Sequence, residues 1–170
     1  MNFEGLTKLG ESTFRSGDLA VTFGGIKISL RVQKALHHTD TVLFLFHGAV
    51  DRSRRKVPAF VGPFADFRSS CHQISIADPA LEHGFPAPLS MTWYAGFEGF
   101  DAQTILPKLF AEIAAALGCG RLVFFGGSGG GFAALRYSHA LPGSAALVTN
   151  PQTSIGRYYI NHGKRYQQYC

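Results

Sequence analysis

The sequence predicts an α/β domain with a mostly parallel sheet and helices on both faces, a three-layer α/β/α arrangement. Short apolar runs that suit fully covered strands, such as Thr41–Phe46, alternate with segments of helical periodicity after residue 41. This alternation is typical of parallel sheets, in which a helix connects one strand to the next. With 170 residues and no internal repeat or linker, the chain is expected to form one domain over residues 1–170.

Five segments have the length and composition of strands. Ile26–Val32 alternates apolar and polar side chains, which indicates a half-exposed strand near a sheet edge. The other four are short segments typical of strands in a parallel sheet, and Thr41–Phe46 and Arg121–Phe125 are apolar enough to be buried. In chain order they are Thr41–Phe46, Gln73–Ala77, Arg121–Phe125 and Ser144–Thr149.

Three segments are predicted to be helical. After Asp101, which can cap a helix with its side chain, apolar residues recur every three or four positions. Phe132–His139 is predicted as a second helix, and Ser154–Tyr169 as a polar third. The segments 51–68 and 82–99 are rich in proline, glycine or charge. The first is expected to be a loop with room for a short helix, and the second to be irregular.

Composition and charge narrow the class of protein. The chain is 46% hydrophobic, 13% aromatic and 16% charged, which excludes intrinsic disorder. Its apolar runs are far shorter than the ~20 residues of a membrane-spanning helix, and its start lacks a signal peptide. The net charge of +5 forms no long basic stripe, so nucleic acid is not the expected partner. Cys71, Cys119 and Cys170 form no CxxC pair, which argues against a disulfide framework or zinc site and favours the cytoplasm.

A glycine-rich turn separates the fourth predicted strand, Arg121–Phe125, from the helix that follows it. The turn contains Gly-x-Ser-x-Gly as Gly126, Ser128 and Gly130. In this pattern the serine occupies a strained strand-to-helix corner with its hydroxyl clear of the sheet, and the two glycines allow a close backbone approach. The N–H of Gly129 then lies at a helix N-terminus and points to where an oxyanion would form.

The turn and its surroundings resemble the α/β-hydrolase superfamily. Members of that family have an earlier buried strand followed by a loop, often beginning His-Gly, that supplies a second oxyanion N–H. Here His47, Gly48 and Ala49 follow such a strand. The order of strands and helices is also similar over about residues 25–150, which is most of the chain.

The resemblance implies a serine esterase or acyl hydrolase that needs no metal or organic cofactor. Ser128 would be the catalytic nucleophile and would form an acyl-serine intermediate. The amides of Gly129 and of Gly48 or Ala49 would form the oxyanion hole. The substrate would be an ester of a small molecule or a glycan, and hydrolysis is not distinguished from acyl transfer.

The sequence departs from the family pattern after the serine. Family members carry the acid and the histidine after a seventh and an eighth strand, whereas this sequence ends about one strand and one helix past the serine's helix. We therefore expect a fold truncated after the sixth strand, with the triad completed by residues outside this chain. Alternatively His162, the only histidine after His139, is the base. The last strand would be an exposed edge through which copies could associate.

Two other functions fit parts of the sequence. A non-catalytic domain could keep the hydrolase-like fold and bind a partner, because a fold alone does not determine function. The segment Gly129–Ala134 also fits the dinucleotide pattern G-x-G-x-x-A. The position that should then carry an acidic residue for a ribose hydroxyl holds Asn150 instead. A P-loop is excluded because no Gly-Lys-Ser/Thr follows the turn.

Several other residues are candidates for the substrate site. His47, Asp78 and Asn150 each follow a predicted strand at the same sheet edge as the serine. A loop-supporting role for His47 and a capping or turn role for the other two are the simpler interpretations. A basic cluster could attract an anionic substrate, although a solvated loop is commoner. It consists of Arg52, Arg54, Arg55 and Lys56. An aromatic cluster that could line a pocket comprises Trp93, Tyr94, Phe97 and Phe100.

Overall fold

The centre of the molecule is a six-stranded sheet, seen in a computed structural model that describes residues 14–23, 25–85 and 89–168. The strands run in the order β1-β2-β4-β3-β5-β6. β1 and β2 are antiparallel, β2 is antiparallel to β4, and β4, β3, β5 and β6 are parallel. The predicted mostly parallel α/β fold is therefore confirmed. The strands are β1 Gly17–Phe23, β2 Ile26–Gln33, β3 Thr41–Phe46, β4 His72–Ile76, β5 Arg121–Gly127 and β6 Ala145–Thr149.

Within the described residues, four α-helices connect or flank these strands. α2 begins after Asp101, whose carboxylate accepts hydrogen bonds from the first-turn amides of Gln103 and Thr104. α3 starts three residues before the predicted boundary, because the glycines after the serine are already helical. α4 is shorter than predicted, and α1 and β1 were not predicted. The helices are α1 Pro79–Glu82, α2 Ala102–Ala116, α3 Gly129–Ala140 and α4 Ile160–Gln167.

The two faces of the sheet are covered differently. Phe44 and Phe46 point to the face that α2 and α3 cover, and the ring of Phe44 lies 4.8 Å from that of Phe110. Leu43 and Leu45 point to the other face, where they form a smaller buried cluster. That second layer is an irregular segment with a single 3-10 turn, Ala65–Phe67, rather than a long α-helix.

A third cluster, here called the apical cluster, lies beyond the carboxyl ends of the parallel strands. Trp93 lies at its centre and packs 5.6 Å, ring to ring, from Tyr166 of α4. The Tyr166 hydroxyl donates a hydrogen bond of 2.7 Å to the carbonyl of Gly96, which holds α4 over this end of the sheet. The buried members of the cluster are Val50, Ala59, Leu81, Leu89, Met91, Trp93 and Tyr166.

The register of the sheet places two loops side by side at this end. Phe46, the last residue of β3, is paired with Gly126 of β5. The segments that follow, 47–49 and 127–128, therefore leave the sheet at the same level, as expected at the carboxyl edge of parallel strands.

β6 is an edge strand of the sheet in the described part of the chain. Its residues are mostly exposed, and the side chain of Leu147 is 56% accessible. Association of copies through this edge stays a prediction. None of the described helices is long and apolar enough to cross a membrane.

Candidate active site

Ser128 lies at the sharp corner between β5 and α3. Its backbone has φ +53° and ψ −121°, a conformation that non-glycine residues rarely adopt. The Ser128 N–H donates to the carbonyl of Thr149 at 3.1 Å, and the Ser128 carbonyl accepts from the Gln152 N–H at 3.0 Å. The side chain makes no capping bond to its own helix. The surrounding backbone thus holds the strained corner and leaves the hydroxyl free of local bonds.

The glycines around the serine are required by backbone contacts. A Cβ on Gly126 would lie 2.1 Å from the carbonyl oxygen of Gly130. A Cβ on Gly130 would lie 2.3 Å from the carbonyl oxygen of Phe46. Because the atoms met are backbone, neither contact can be relieved by a rotamer change. Residues without a Cβ are needed at both positions for the corner to form.

Two of the predicted oxyanion residues, Gly48 and Gly129, lie next to the serine. A Cβ on Gly48 would lie 3.9 Å from Ser128 Oγ, so the loop after β3 is adjacent to the hydroxyl. The Gly129 amide is the first of α3 and has no partner within the helix. Among the described residues, none accepts a hydrogen bond from the amides of Gly48, Ala49 or Gly129. The site therefore has unpaired N–H donors next to the hydroxyl.

Gln152 is the described side chain that bonds the Ser128 hydroxyl. Its Nε2 donates to Ser128 Oγ at 2.8 Å, and its Oε1 accepts a hydrogen bond from the indole N–H of Trp93. An indole nitrogen can only donate, so the bond from Trp93 fixes which end of the amide faces the serine. Ser128 Oγ is thereby an acceptor here, and its own proton remains available to another group.

His47 and Asp78 are held by the loops around the site. The Nδ1 of His47 lies 2.7 Å from the Gly48 carbonyl, and its Nε2 lies 3.3 Å from the Asp78 amide nitrogen. Because a carbonyl accepts and an amide N–H donates, both ring nitrogens are occupied and the Nδ1–H tautomer is fixed. The Asp78 carboxylate accepts from the amides of Ala80 and Tyr94 at 3.2 and 2.9 Å. Burial raises the pKa of Asp78 and that of the Tyr94 hydroxyl.

Comparison with solved structures gives the fold. One match is the structure of an AqdC variant in complex with its substrate, described as the basis for recognition and ring-cleavage of the Pseudomonas quinolone signal. It is 15% identical to this chain, and the match has a TM-score of 0.53 and covers 89% of this chain and 55% of that one. Another is Est816, an N-acyl homoserine lactone degrading enzyme, at 17% identity and TM-score 0.51 over 88% and 52%. A third is proline iminopeptidase of Mycobacterium smegmatis, at 15% identity and TM-score 0.50 over 82% and 46%. The chain has the α/β-hydrolase fold.

The extent of the match is partial. The chain spans about half the length of the solved structures with which we compare it. No protein-family model matches the sequence, and no curated protein matches it significantly. At 15–17% identity the similarity gives the α/β-hydrolase fold and no particular substrate.

Two predicted site residues remain, Asn150 and His162. Asn150 follows β6 with φ +43°, is exposed, and is not among the residues whose side chains bond Ser128. His162 lies within α4, but its side chain is outside the described residues. No described histidine or carboxylate hydrogen-bonds Ser128 Oγ, and no described group of three or more His, Cys, Asp or Glu could hold a metal ion.

Sequence reasoning placed Gln152 only in the turn 150–153 and missed its bond to the serine. A glutamine carries no motif signal, and its contact with Trp93 joins residues 59 positions apart. The one available signal was position, because Gln152 comes directly after the strand that follows the serine's helix.

Proposed function

We propose that this protein is a serine hydrolase that cleaves an ester or acyl group of a small-molecule or glycan substrate at Ser128. The observation that carries the proposal is the strained corner, which presents the serine hydroxyl beside unpaired amides. In this mechanism Oγ attacks the carbonyl carbon, its proton passes to a base, and the leaving alcohol departs from an acyl-serine intermediate. Water then hydrolyses the intermediate.

The amides of Gly129 and of Gly48 or Ala49 are the proposed oxyanion donors. Their N–H groups are fixed by the backbone and are not used by other described residues, so they need no reorganisation when negative charge develops. Loss of one such donor typically costs ~3 kcal/mol of transition-state stabilisation. Ala49 and Gly48 are adjacent in one loop, and either amide fits the proposal.

Gln152 is proposed as a positioning residue. Its Nε2–H group points at Ser128 Oγ and stabilises negative charge on that oxygen as the proton leaves. It cannot accept the proton itself, because the bond from Trp93 turns the amide oxygen away. The base is therefore a different group, and His162 stays the candidate named by the sequence.

Ester turnover tests the proposal. The protein is mixed with 4-nitrophenyl acetate, and nitrophenol release is followed together with the intact mass of the protein. We expect nitrophenol release and an acetyl group on wild-type protein, and neither of them in Ser128→Ala. Ser69→Ala, at an exposed position outside the site, is the matched control and should behave as wild type. Equal release from Ser128→Ala would contradict the proposal.

A non-catalytic binding domain is the second candidate function. It is favoured by one observation, namely that the described partner of the serine is a hydrogen-bond donor and not a base. On this hypothesis, 4-nitrophenyl acetate leaves the protein unmodified. Dinucleotide binding has less support, because Met91 lies against Gly129 and Pro151 against Gly131. Those side chains fill the space above the glycines that a pyrophosphate would need.

The cytoplasm is the proposed location. Cys71 and Cys119 are free thiols and are both buried. Burial raises the pKa of Cys71 and raises that of Cys119 to about 11, which keeps them protonated and slow to oxidise. Buried free thiols fit a reducing compartment.

A further inference from the structure

A cavity of about 280 Å³ lies between the loop after β3 and helix α4. Its apolar side is formed by Val50, Leu89 and Met91, all buried members of the apical cluster. Its polar side includes two arginines from different elements, Arg52 of the loop and Arg165 of α4. Apolar walls with a few convergent polar groups are the usual composition of a small-molecule site.

One wall of the cavity lies against the residue that follows the proposed nucleophile. Met91 lines the cavity, and a Cβ on Gly129 would lie only 2.1 Å from Met91 Sδ. Val50 follows Gly48 by two residues, a separation of at most ~7 Å along the chain. A Cβ on Gly48 would in turn lie 3.9 Å from Ser128 Oγ. From these contacts we expect a substrate whose carbonyl is at the serine to extend toward the cavity.

The charge of the two arginines is not neutralised by other described residues. Neither Arg52 nor Arg165 makes an ion pair within the described part of the chain. Asp51 also lines the cavity, but its carboxylate accepts bonds from the Ser53 amide at 3.0 Å and from the Ser53 hydroxyl at 2.6 Å. The same carboxylate lies 3.4 Å from Arg54 Nε, which offsets its charge. The cavity thus has a positive side available to a ligand.

We propose that this cavity binds a carboxylate or phosphate group of the substrate whose ester Ser128 attacks. The assignment rests on the proposed function, since it names the substrate class of the same site. Guanidinium groups match the geometry of planar and tetrahedral oxyanions and bind them with two parallel hydrogen bonds. The apolar wall packs against the carbon chain between the anionic group and the ester. Of the basic cluster in the sequence, Arg52 is the member that lines the cavity.

Two esters of similar length test the substrate class. The protein is assayed with 4-nitrophenyl butyrate and with the 4-nitrophenyl monoester of succinic acid, which adds a terminal carboxylate. We expect wild-type protein to prefer the succinate ester by about tenfold in kcat/KM, as one charge-assisted contact allows. The double variant Arg52→Gln/Arg165→Gln should lose that preference, so that the ratio of kcat/KM for the two esters falls to about one. Arg121→Gln, at the opposite end of β5, makes the same type of charge change and should keep the preference. No preference in wild type, or a preference that survives in the double variant, would overturn the assignment.

A binding experiment separates this inference from the catalytic proposal. Ser128→Ala protein is titrated with monomethyl succinate and, separately, with inorganic phosphate, and the heat of binding is measured. Saturable binding of either anion that disappears when Arg52 and Arg165 are also replaced by Gln supports the cavity, even if no ester is ever cleaved. Absence of binding by both anions contradicts the anion site, even if Ser128 proves to be the nucleophile. Circular dichroism of each variant verifies that the fold is intact.

Discussion

Two strand-to-helix corners lie at the same edge of the sheet. The polar side chain at the first corner caps the helix that follows, whereas the polar side chain at the second corner does not. At the end of β4, Asp78 has φ −71°, is buried, and caps its own helix through a bond from the Ala80 amide. At the end of β5, Ser128 has φ +53°, and its side chain makes no bond to its own helix. The hydroxyl is bonded instead by Gln152, which lies after the next strand.

The difference shows what backbone conformation does to a corner residue. With negative φ the side chain turns back to the helix and is used for local stability, as it also is at Asp101 before α2. With positive φ the side chain points away from the helix and leaves the first amides of the helix unpaired. The serine corner therefore lacks a side-chain cap, and its hydroxyl is exposed to a ligand beside unpaired backbone N–H groups.

The largest expected effect breaks the geometry of the serine corner. Gly130→Ala would place a Cβ 2.3 Å from the Phe46 carbonyl oxygen, a backbone atom that cannot move aside. We expect the free energy of unfolding in urea to fall by more than about 3 kcal/mol, as for other severe backbone and packing clashes. Gly62→Ala, where a Cβ meets nothing within 4 Å, is the control and should change stability by less than ~0.5 kcal/mol. A tolerated Gly130→Ala would mean that the corner is not tightly constrained.

Substitution by glycine should change the free energy of unfolding in opposite directions at the two corners. Asp78→Gly removes the acceptor for the buried amides of Ala80 and Tyr94 and should lower the free energy of unfolding by about 1–3 kcal/mol. Ser128→Gly relieves the unfavourable φ and should raise it by ~1 kcal/mol. Urea unfolding at pH 7 measures both. A destabilised Ser128→Gly would show that the serine side chain contributes to the fold, contrary to the comparison.

At the serine corner, the hydrogen bond from Gln152 to Ser128 Oγ takes the place of a capping bond. Gln152→Ala should slow the reaction of Ser128 with a serine-directed phosphonate by about tenfold, equivalent to ~1.4 kcal/mol, since the developing charge on Oγ loses a donor. Thr153→Ala, at the neighbouring exposed position, should react as wild type. The rates are followed by intact mass. An unchanged rate in Gln152→Ala would remove the positioning role.

The smallest expected effect is a dependence of stability on pH. Burial raises the pKa of Asp78 in the folded protein, so its carboxyl favours folding below the unfolded value of ~3.9, and this contribution is lost as pH rises through the folded pKa. Hydrogen bonding to Arg31 lowers the pKa of Asp18, whose contribution is present above ~3.9 and is lost as pH falls. The free energy of unfolding in urea is measured between pH 3 and 7 for wild type, Asp78→Asn and Asp18→Asn. The difference between wild type and Asp78→Asn should fall as pH rises, and the difference between wild type and Asp18→Asn should increase. Parallel slopes would contradict the assignment of Asp78 as the buried, unfavourably ionised member.

Much of the fold could be predicted because it depends on local pattern. β3 has the predicted bounds, and the start of α2 follows from its Asp101 cap. β1 was missed because its sequence, GDLAVTF, has only a short alternation of apolar residues. It lies at the edge of the sheet and pairs with β2 alone among the described strands. α1 is four residues long, too short to show helical periodicity.

The candidate site could be predicted only where the local structure requires a particular residue type. Two glycines flanking a serine indicate a close approach of backbone segments, and the contacts of Gly126 and Gly130 agree with this. The bonds of Gln152 to the serine and to Trp93, and the joint cavity of Arg52 and Arg165, depend on how distant segments pack. No residue type or spacing signals such contacts, so they had to come from the structure.

The central claim is that the Ser128 hydroxyl is displayed as a nucleophile. Wild-type protein is treated with a serine-directed fluorophosphonate, and the modified peptide is identified by mass spectrometry. We predict one phosphonyl group, located on Ser128, and no modification of Ser128→Ala. An unmodified wild-type protein with intact circular dichroism, or a label on a different serine, would contradict the claim.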